Sequence, residues 1–308
     1  MVQFKKRKTL KQQESRSALL FVVFPFIGLM LFTGFPLIFS FFYSFTKQNP
    51  NSTNLLDTTF VGFSHYGAIL SDPEFYKSIG FSFVYALGTS FLQTVLSLVL
   101  AYFLSKPIKG RTAIRIILFI PYVCSVVAMS FVWQSMLDDN FGLLNSWLFS
   151  MGLDPISWLK DDRTSMLIMI IMSVWGGLGY GTILYSAALS AVDNSLYEAC
   201  DVMGANSIKK FFKVTIPCIS PTTFFLLVMG MIGNLQAFTN FQIMNPTFQG
   251  SQIKTMVYYV YSYAFEMDAG TYGLTYASAA GWLTGIVVII FTVVMFKTQK
   301  YWVHYESW

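Results

Sequence analysis

Residues 195–217 read Ser-Leu-Tyr-Glu-Ala-Cys-Asp-Val-Met-Gly-Ala-Asn-Ser-Ile-Lys-Lys-Phe-Phe-Lys-Val-Thr-Ile-Pro, a polar interruption between two long apolar runs. The pattern is that of two short helices. Ser195 and Glu198 have capping-box spacing, so hydroxyl and carboxylate can satisfy each other's orphan amides at a helix start. Gly204 suits the left-handed residue that ends such a helix. Asn206 or Ser207 can cap a second helix running through Lys209, Lys210 and Lys213. Pro217 suits the start of a membrane helix, where its missing amide has no partner to lose. The expected product is a firm elbow on a membrane surface. Leu196, Tyr197, Cys200 and Met203 form its apolar side.

Working outward, the 308 residues are 55% hydrophobic and 11% charged. Soluble domains carry about 25% charged residues, so the composition indicates a polytopic membrane protein. A bilayer needs about 20 apolar residues per helix. Six runs qualify, near 18–45, 80–105, 113–136, 164–190, 217–243 and 274–297. No small-residue cleavage site follows the first, which reads as a retained helix. Pro25 and Pro36 lie within it, as membrane helices tolerate. With the N-terminus inside, fifteen of the 20 Lys and Arg residues fall in the tail, 106–115, 191–216 and 297–308. Ten of the 15 acidic residues fall in the opposite loops. The positive-inside rule therefore puts both termini and Glu198 in the cytoplasm. The net charge of +5 is a consequence of topology and no footprint for nucleic acid.

The elbow resembles the cytoplasmic EAA loop of importer-type ABC transporter permeases. That pattern has Glu-Ala-Ala, three residues, Gly, and then an apolar residue and Pro at fixed distance. Here stand Glu198, Ala199, Cys200, Gly204, Ala205, Val214, Ile216 and Pro217, with Cys200 for the second Ala and Met203 where Asp is usual. Residues 60–66 (Phe-Val-Gly-Phe-Ser-His-Tyr), 72–76 (Asp-Pro-Glu-Phe-Tyr) and 301–306 (Tyr-Trp-Val-His-Tyr-Glu) are similar to the carbohydrate branch, the maltose- and glycerol-phosphate-like inner-membrane components of binding-protein-dependent transport. The segment 245–250 lacks the Gly-Gly-Pro run common in that branch. The resemblance implies that Glu198, Ala199, Cys200, Asp201, Gly204, Ala205 and Pro217 couple the chain to an ATPase subunit. It also implies a sugar pocket drawn from the spans on either side of the elbow, with Gly177, Tyr180 and Asn234 at matching positions and Tyr122 a looser match.

Read from the residues alone, the spans hold no Asp, Glu or His, and Arg115 and Lys297 stand only at their ends. Intramembrane ionisable groups usually mark proton relays or ion paths, so a proton-coupled carrier is disfavoured. There is no Gly-x-x-x-x-Gly-Lys-Ser/Thr phosphate loop, so ATP must be hydrolysed by another subunit. Nor is there a metal-ligand spacing or a nucleophile motif. Cys124, Cys200 and Cys218 read as buried structural thiols. His65 and His304 read as solvated loop residues.

The polar groups left in the spans are neutral: Tyr122 and Ser125 in the third, Ser173, Trp175, Gly177 and Tyr180 in the fourth, Asn234, Thr239, Asn240 and Gln242 in the fifth. Hydroxyls, amides and aromatic faces suit a neutral sugar. Tyr122, Ser125, Gly177, Tyr180, Asn234 and Asn240 are the expected substrate contacts. Each has a plainer reading. The glycines can serve helix packing, Asn234 an interhelical hydrogen bond, Glu198 a helix start, and Lys209, Lys210 and Lys213 positive-inside anchoring.

The architecture expected is all-α: a basic cytoplasmic segment 1–17, a six-helix permease domain 18–297 with coupling loop 191–216, and a cytoplasmic tail 298–308. The function expected is a transmembrane subunit of an ATP-driven, binding-protein-dependent carbohydrate importer in a bacterial-type inner (plasma) membrane. It has no ATPase site or cofactor of its own. Its partners would be a second permease subunit, an ATP-binding subunit dimer holding ATP and Mg, an extracellular solute-binding protein, a carbohydrate and membrane lipid. The competing reading is a stand-alone secondary carrier or channel for neutral solutes. A membrane-embedded enzyme lacks any set of catalytic residues.

Overall fold

The computed structural model describes residues 10–49, 54, 57–244, 253–266 and 273–304. The segment 245–250 lies outside them. Helix dominates. α1 (Leu10–Leu29) passes through a π-helical turn (Met30–Gly34) into α2 (Phe35–Tyr43). An antiparallel hairpin of β1 (Thr46–Gln48) and β2 (Thr58–Phe60) follows, then α3 (Ser64–Leu70), α4 (Pro73–Ser105), α5 (Arg111–Val123) and α6 (Val126–Met136). Next come α7 (Leu143–Ser150), α8 (Asp162–Ala191), α9 (Asn194–Val202) and α10 (Ser207–Lys210). A second π-turn (Phe211–Thr215) leads to α11 (Ile216–Cys218), α12 (Ser220–Leu235), α13 (Thr239–Met244), α14 (Met256–Tyr261) and α15 (Gly273–Thr298).

Each of the six apolar runs coincides with helix. Four helices are long and apolar enough to cross a membrane alone: Phe21–Tyr43, Pro73–Ser105, Asp162–Ala191 and Gly273–Tyr301. The third and fifth runs are broken. Arg111–Val123 and Val126–Met136 meet at 96°, and Ser207–Cys218 and Ser220–Leu235 at 63°. In the third run Pro121 removes an intrahelical donor, and three residues later Cys124 is extended (ψ 146°). In the fifth, the expected start at Pro217 is displaced. The π-turn runs directly into Pro217, and the long helix begins at Ser220-Pro221 after the bend. A proline ring crowds the carbonyl four residues back in a regular helix, and the wider turn relieves it. The same device precedes Pro36, where Phe35 N–H reaches Met30 O five residues back.

Contacts divide the chain into two compact units, Met1–Ile69 with Tyr263–Trp282, and Leu70–Ser262 with Leu283–Trp308. In the first, β1 and β2 pair with Thr46 opposite Phe60. His65, expected to be solvated, is buried at 8% exposure beneath this hairpin. Its Nε2 donates to Thr46 O at 2.9 Å and its ring meets Tyr276 edge-on. Desolvation holds its pKa below the ordinary value.

In the second unit α4 and α8 form the frame. α4 presents a stripe of small residues, including Ser82, Ala86, Ser90, Ser97 and Ala101, all buried. Small residues let membrane helices approach closely, which raises van der Waals contact where no hydrophobic drive exists. A Cβ on Gly179 of α8 would lie 2.3 Å from Leu118 O, so the backbones of α5 and α8 touch there. Around this frame Tyr85, Met169, Phe241, Met244 and Tyr258 make the apolar core. Asp72 and Asp161 accept backbone hydrogen bonds as N-caps of α4 and α8.

Candidate functional site: a neutral cavity and an exposed elbow

Two regions of the second unit carry the polar chemistry. The first is a cavity of about 420 Å³. It lies beside the Cys124–Ser125 break of the third run and the stretch 236–238 between α12 and α13, at the far end of α12 from the 63° bend. Irregular backbone at membrane depth is tolerated where it is buried in protein or lines a cavity. Tyr122, Gly177, Asn234 and Asn240 line it, together with Tyr85, Ser173, Gln236 and Thr239. None of its lining side chains is charged.

Its polar groups are held by one another. Tyr85 OH and Ser173 Oγ lie 2.6 Å apart. Asn240 Nδ2 donates to Tyr85 OH at 3.1 Å. Asn234 Nδ2 donates to Ser90 Oγ at 3.0 Å while its side chain faces the cavity, so it serves as both interhelical tie and cavity wall. Gln93 Nε2 donates to Gly177 O at 3.1 Å and fills the space a Cβ on Gly177 would need. The glycine-rich run of α8 thus serves packing at Gly179, and at Gly177 both packing and the cavity lining.

Two expected contacts lie elsewhere. Tyr180 stacks behind Tyr122, with ring centroids 4.9 Å apart and planes 12° from parallel, and packs into a separate apolar cluster. Ser125 is exposed at the bend while its neighbours Cys124 and Val126 line the cavity. Tyr85 was not expected. It sits on the second span, and its only local signal is a hydroxyl in an apolar run. The cysteines are not buried as expected: Cys124 is exposed at the bend, and Cys200 and Cys218 are half-buried. Pro121 opens the third span beside Cys124, and the elbow that carries Cys200 is thinly packed.

The second region is the elbow. α9 starts one residue before Ser195, capped by Asp193, whose Oδ1 accepts from Ser195 N at 2.9 Å. The Ser195–Glu198 capping box is therefore not formed, because the preceding carboxylate takes the cap. That bond holds the Asp193 carboxyl below its usual range. Gly204 is left-handed (φ 69°), with Gly204 N donating to Asp201 O and Ala205 N to Cys200 O, the Schellman arrangement. Asn206 caps α10 through Lys209 N. Glu198, Ala199, Asp201 and Gly204 are exposed, and Cys200, Ala205 and Pro217 are half-buried. Val202 (90%), Met203 (74%) and Ile208 (68%) form the exposed apolar face, together with Leu196. Tyr197 has turned away from it, its hydroxyl 3.0 Å from Thr215 Oγ1.

The model of the family described as "binding-protein-dependent transport system inner membrane component" matches residues 74–302. The chain is 31% identical over 287 residues to the probable ABC transporter permease protein YesP of Bacillus subtilis (strain 168), covering 92% of this chain and 90% of that one. It is 26% identical to the trehalose/maltose transport system permease protein MalF of Thermococcus litoralis, covering 95% and 96% of the two chains. In fold it is similar to a chain of a bacterial ABC transporter involved in the import of the acidic polysaccharide alginate, with TM-score 0.79, 22% identity and coverage of 95% and 99%. With two broken spans around a neutral cavity and a family match from α4 to the end of the last span, this chain belongs to the binding-protein-dependent transport inner-membrane components, the permeases of ABC importers.

Proposed function

We propose that this permease carries a neutral carbohydrate, of di- or oligosaccharide size, through the cavity between its broken spans. The observation that carries this reading is the cavity's chemistry: seven hydroxyl- or amide-bearing side chains, aromatic rings at Tyr85, Tyr122 and Phe238, and no charge. An anionic cargo would need a cation, and a buried one would be costly without a partner. Discontinuous helices beside a mid-membrane site are the usual way a transporter exposes backbone groups to a ligand. Support for a sugar also comes from the relatives named for trehalose/maltose and for arabinooligosaccharides. The solved alginate importer was captured with a pentasaccharide-bound periplasmic protein, which supports a solute-binding partner here.

The elbow is the input for energy. α9 docks its exposed apolar face into an ATP-binding subunit; Glu198 stands exposed beside that face. ATP and Mg are held by that subunit, a dimer serving this chain and a second permease subunit. Closure of the dimer moves α9, and the spans exchange inward- and outward-facing states. Both termini lie on the elbow's side. In support, His304 N donates to Ser220 Oγ at the foot of α12, next to the elbow. The test is to replace Glu198 with Ala in the assembled complex and measure ATP-dependent uptake and ATP-binding subunit retention. Both are expected to fall. Unchanged values in Glu198→Ala and in a Gly204→Ala companion would remove the elbow from the mechanism.

A further inference from the structure

The elbow is poorly packed against the rest of the molecule. None of the nine residues of α9 is buried, and none of α10. Behind them lies a second cavity of about 280 Å³, lined by Tyr102, Leu189, Tyr197, Lys210, Phe211 and Thr215 among others. A void transmits no dispersion contact, so packing cannot push here. The covalent link from α9 to α10 turns on one left-handed glycine, Gly204. Two side-chain contacts bridge the same gap. Lys210 Nζ pairs with the Asp201 carboxylate, and Tyr197 OH meets Thr215 Oγ1 at 3.0 Å. Thr215 is 2% exposed at the end of the π-turn. Beyond it Ile219 is buried at the 63° bend, and α12 leads to Asn234 in the cavity wall. That path along α12 is about 20 Å at 1.5 Å per residue.

We infer that Asp201–Lys210 and Tyr197–Thr215 form a two-point clasp that makes the elbow and the base of the fifth span one rigid body. Lys210, Tyr197 and Thr215 are then positioning residues for energy coupling. The inference rests on the reading of α9 as the docking element. A partly exposed ion pair contributes little to stability, because water screens it and its side chains lose freedom. Its removal therefore leaves the protein folded and shows itself in the transmission of movement.

The experiment uses the assembled complex in vesicles, with sugar uptake and ATP hydrolysis measured in the same preparation. Lys210→Ala and Thr215→Val are each expected to lower uptake per ATP at least about threefold, within the usual range of pairwise couplings. The conservative Lys210→Arg and Thr215→Ser are expected to keep the wild-type ratio. Wild-type ratios in Lys210→Ala or in Thr215→Val overturn the clasp, as does a Lys210→Arg no better than Lys210→Ala. Loss of the ATP-binding subunit from Lys210→Ala also overturns it, since the pair would then serve docking. A wild-type complex whose hydrolysis is unlinked to uptake overturns the elbow reading and the clasp together. Normal coupling in both wild type and Lys210→Ala overturns the clasp alone.

Discussion

The cavity and the elbow are two polar regions of an apolar chain, and they are built by opposite means. The cavity's groups are neutral, belong to different spans and satisfy one another inside a packed frame. Tyr85 and Asn240, hydrogen-bonded at 3.1 Å, are 155 residues apart. The elbow is assembled from neighbours: Asp193 caps Ser195, Gly204 closes the helix nine residues on, and Asn206 starts the next. One region depends on the fold to exist. The other carries its shape in local sequence and depends on the fold only for its attachment.

That contrast can be broken from the cavity side. The largest effect is expected from Gly179→Ala, which places a Cβ 2.3 Å from Leu118 O and 2.6 Å from Phe119 Cα. Backbone cannot move aside as a side chain does, and overpacking costs about 1–3 kcal/mol or more. The yield of folded protein after detergent extraction should fall severalfold, whereas Gly233→Ala, with nothing within 4 Å, should match wild type. Equal yields would mean that α5 and α8 are not in backbone contact. Next in size is Asn240→Ala, which takes the amide from Tyr85 and Ser173. Tyr85 OH and Ser173 Oγ keep each other but lose a buried hydrogen bond worth about 1 kcal/mol, so half-saturation should move to about fivefold higher sugar with the ATP-binding subunit still retained. An unchanged half-saturating concentration would separate this network from the cargo.

The elbow should respond locally and less. Gly204→Ala forces a Cβ into the left-handed region, at about 1–2 kcal/mol, with open space around it. Retention of the ATP-binding subunit should weaken severalfold, and Gly204→Asn should weaken it less. Identical retention in the two variants would show that backbone conformation is not what matters there. Smallest is the effect of pH on the first unit. His65 is held neutral by burial, so its folded pKa lies below the ordinary value of about 6.5. The unfolded chain takes up the proton first. Stability from this residue is complete above about pH 6.5 and is lost as pH falls below it. Hydrogen exchange at residues 44–48 should quicken between pH 7 and pH 5 beyond its intrinsic pH dependence, and His65→Gln should flatten that change.

The same contrast explains what the sequence revealed. The six runs were legible because twenty apolar residues in a row admit few other structures. The elbow's Gly204 and Asn206 were legible because caps and left-handed turns act within five residues. The Ser195–Glu198 box did not form because Asp193, two residues earlier, can also cap and takes the Ser195 amide. The bends were not foreseen. Pro217 was read as the start of a span, but the π-turn that moves that start to Ser220 depends on how the following helix packs, and the break after Pro121 divides a run read as one helix. Tyr122, Gly177, Asn234 and Asn240, singled out from their spans, line the cavity. Tyr180 lies one turn of α8 further on and stacks behind Tyr122. His65 and Tyr85 were missed because their burial comes from segments distant in sequence.

The most direct measurement is sugar uptake into vesicles holding either this chain alone or the chain with its second permease subunit, ATP-binding subunits and solute-binding protein. The account predicts accumulation only in the complete assembly and only with ATP inside the compartment that the elbow faces. Equilibration of a neutral sugar by the chain alone, without nucleotide, would contradict it.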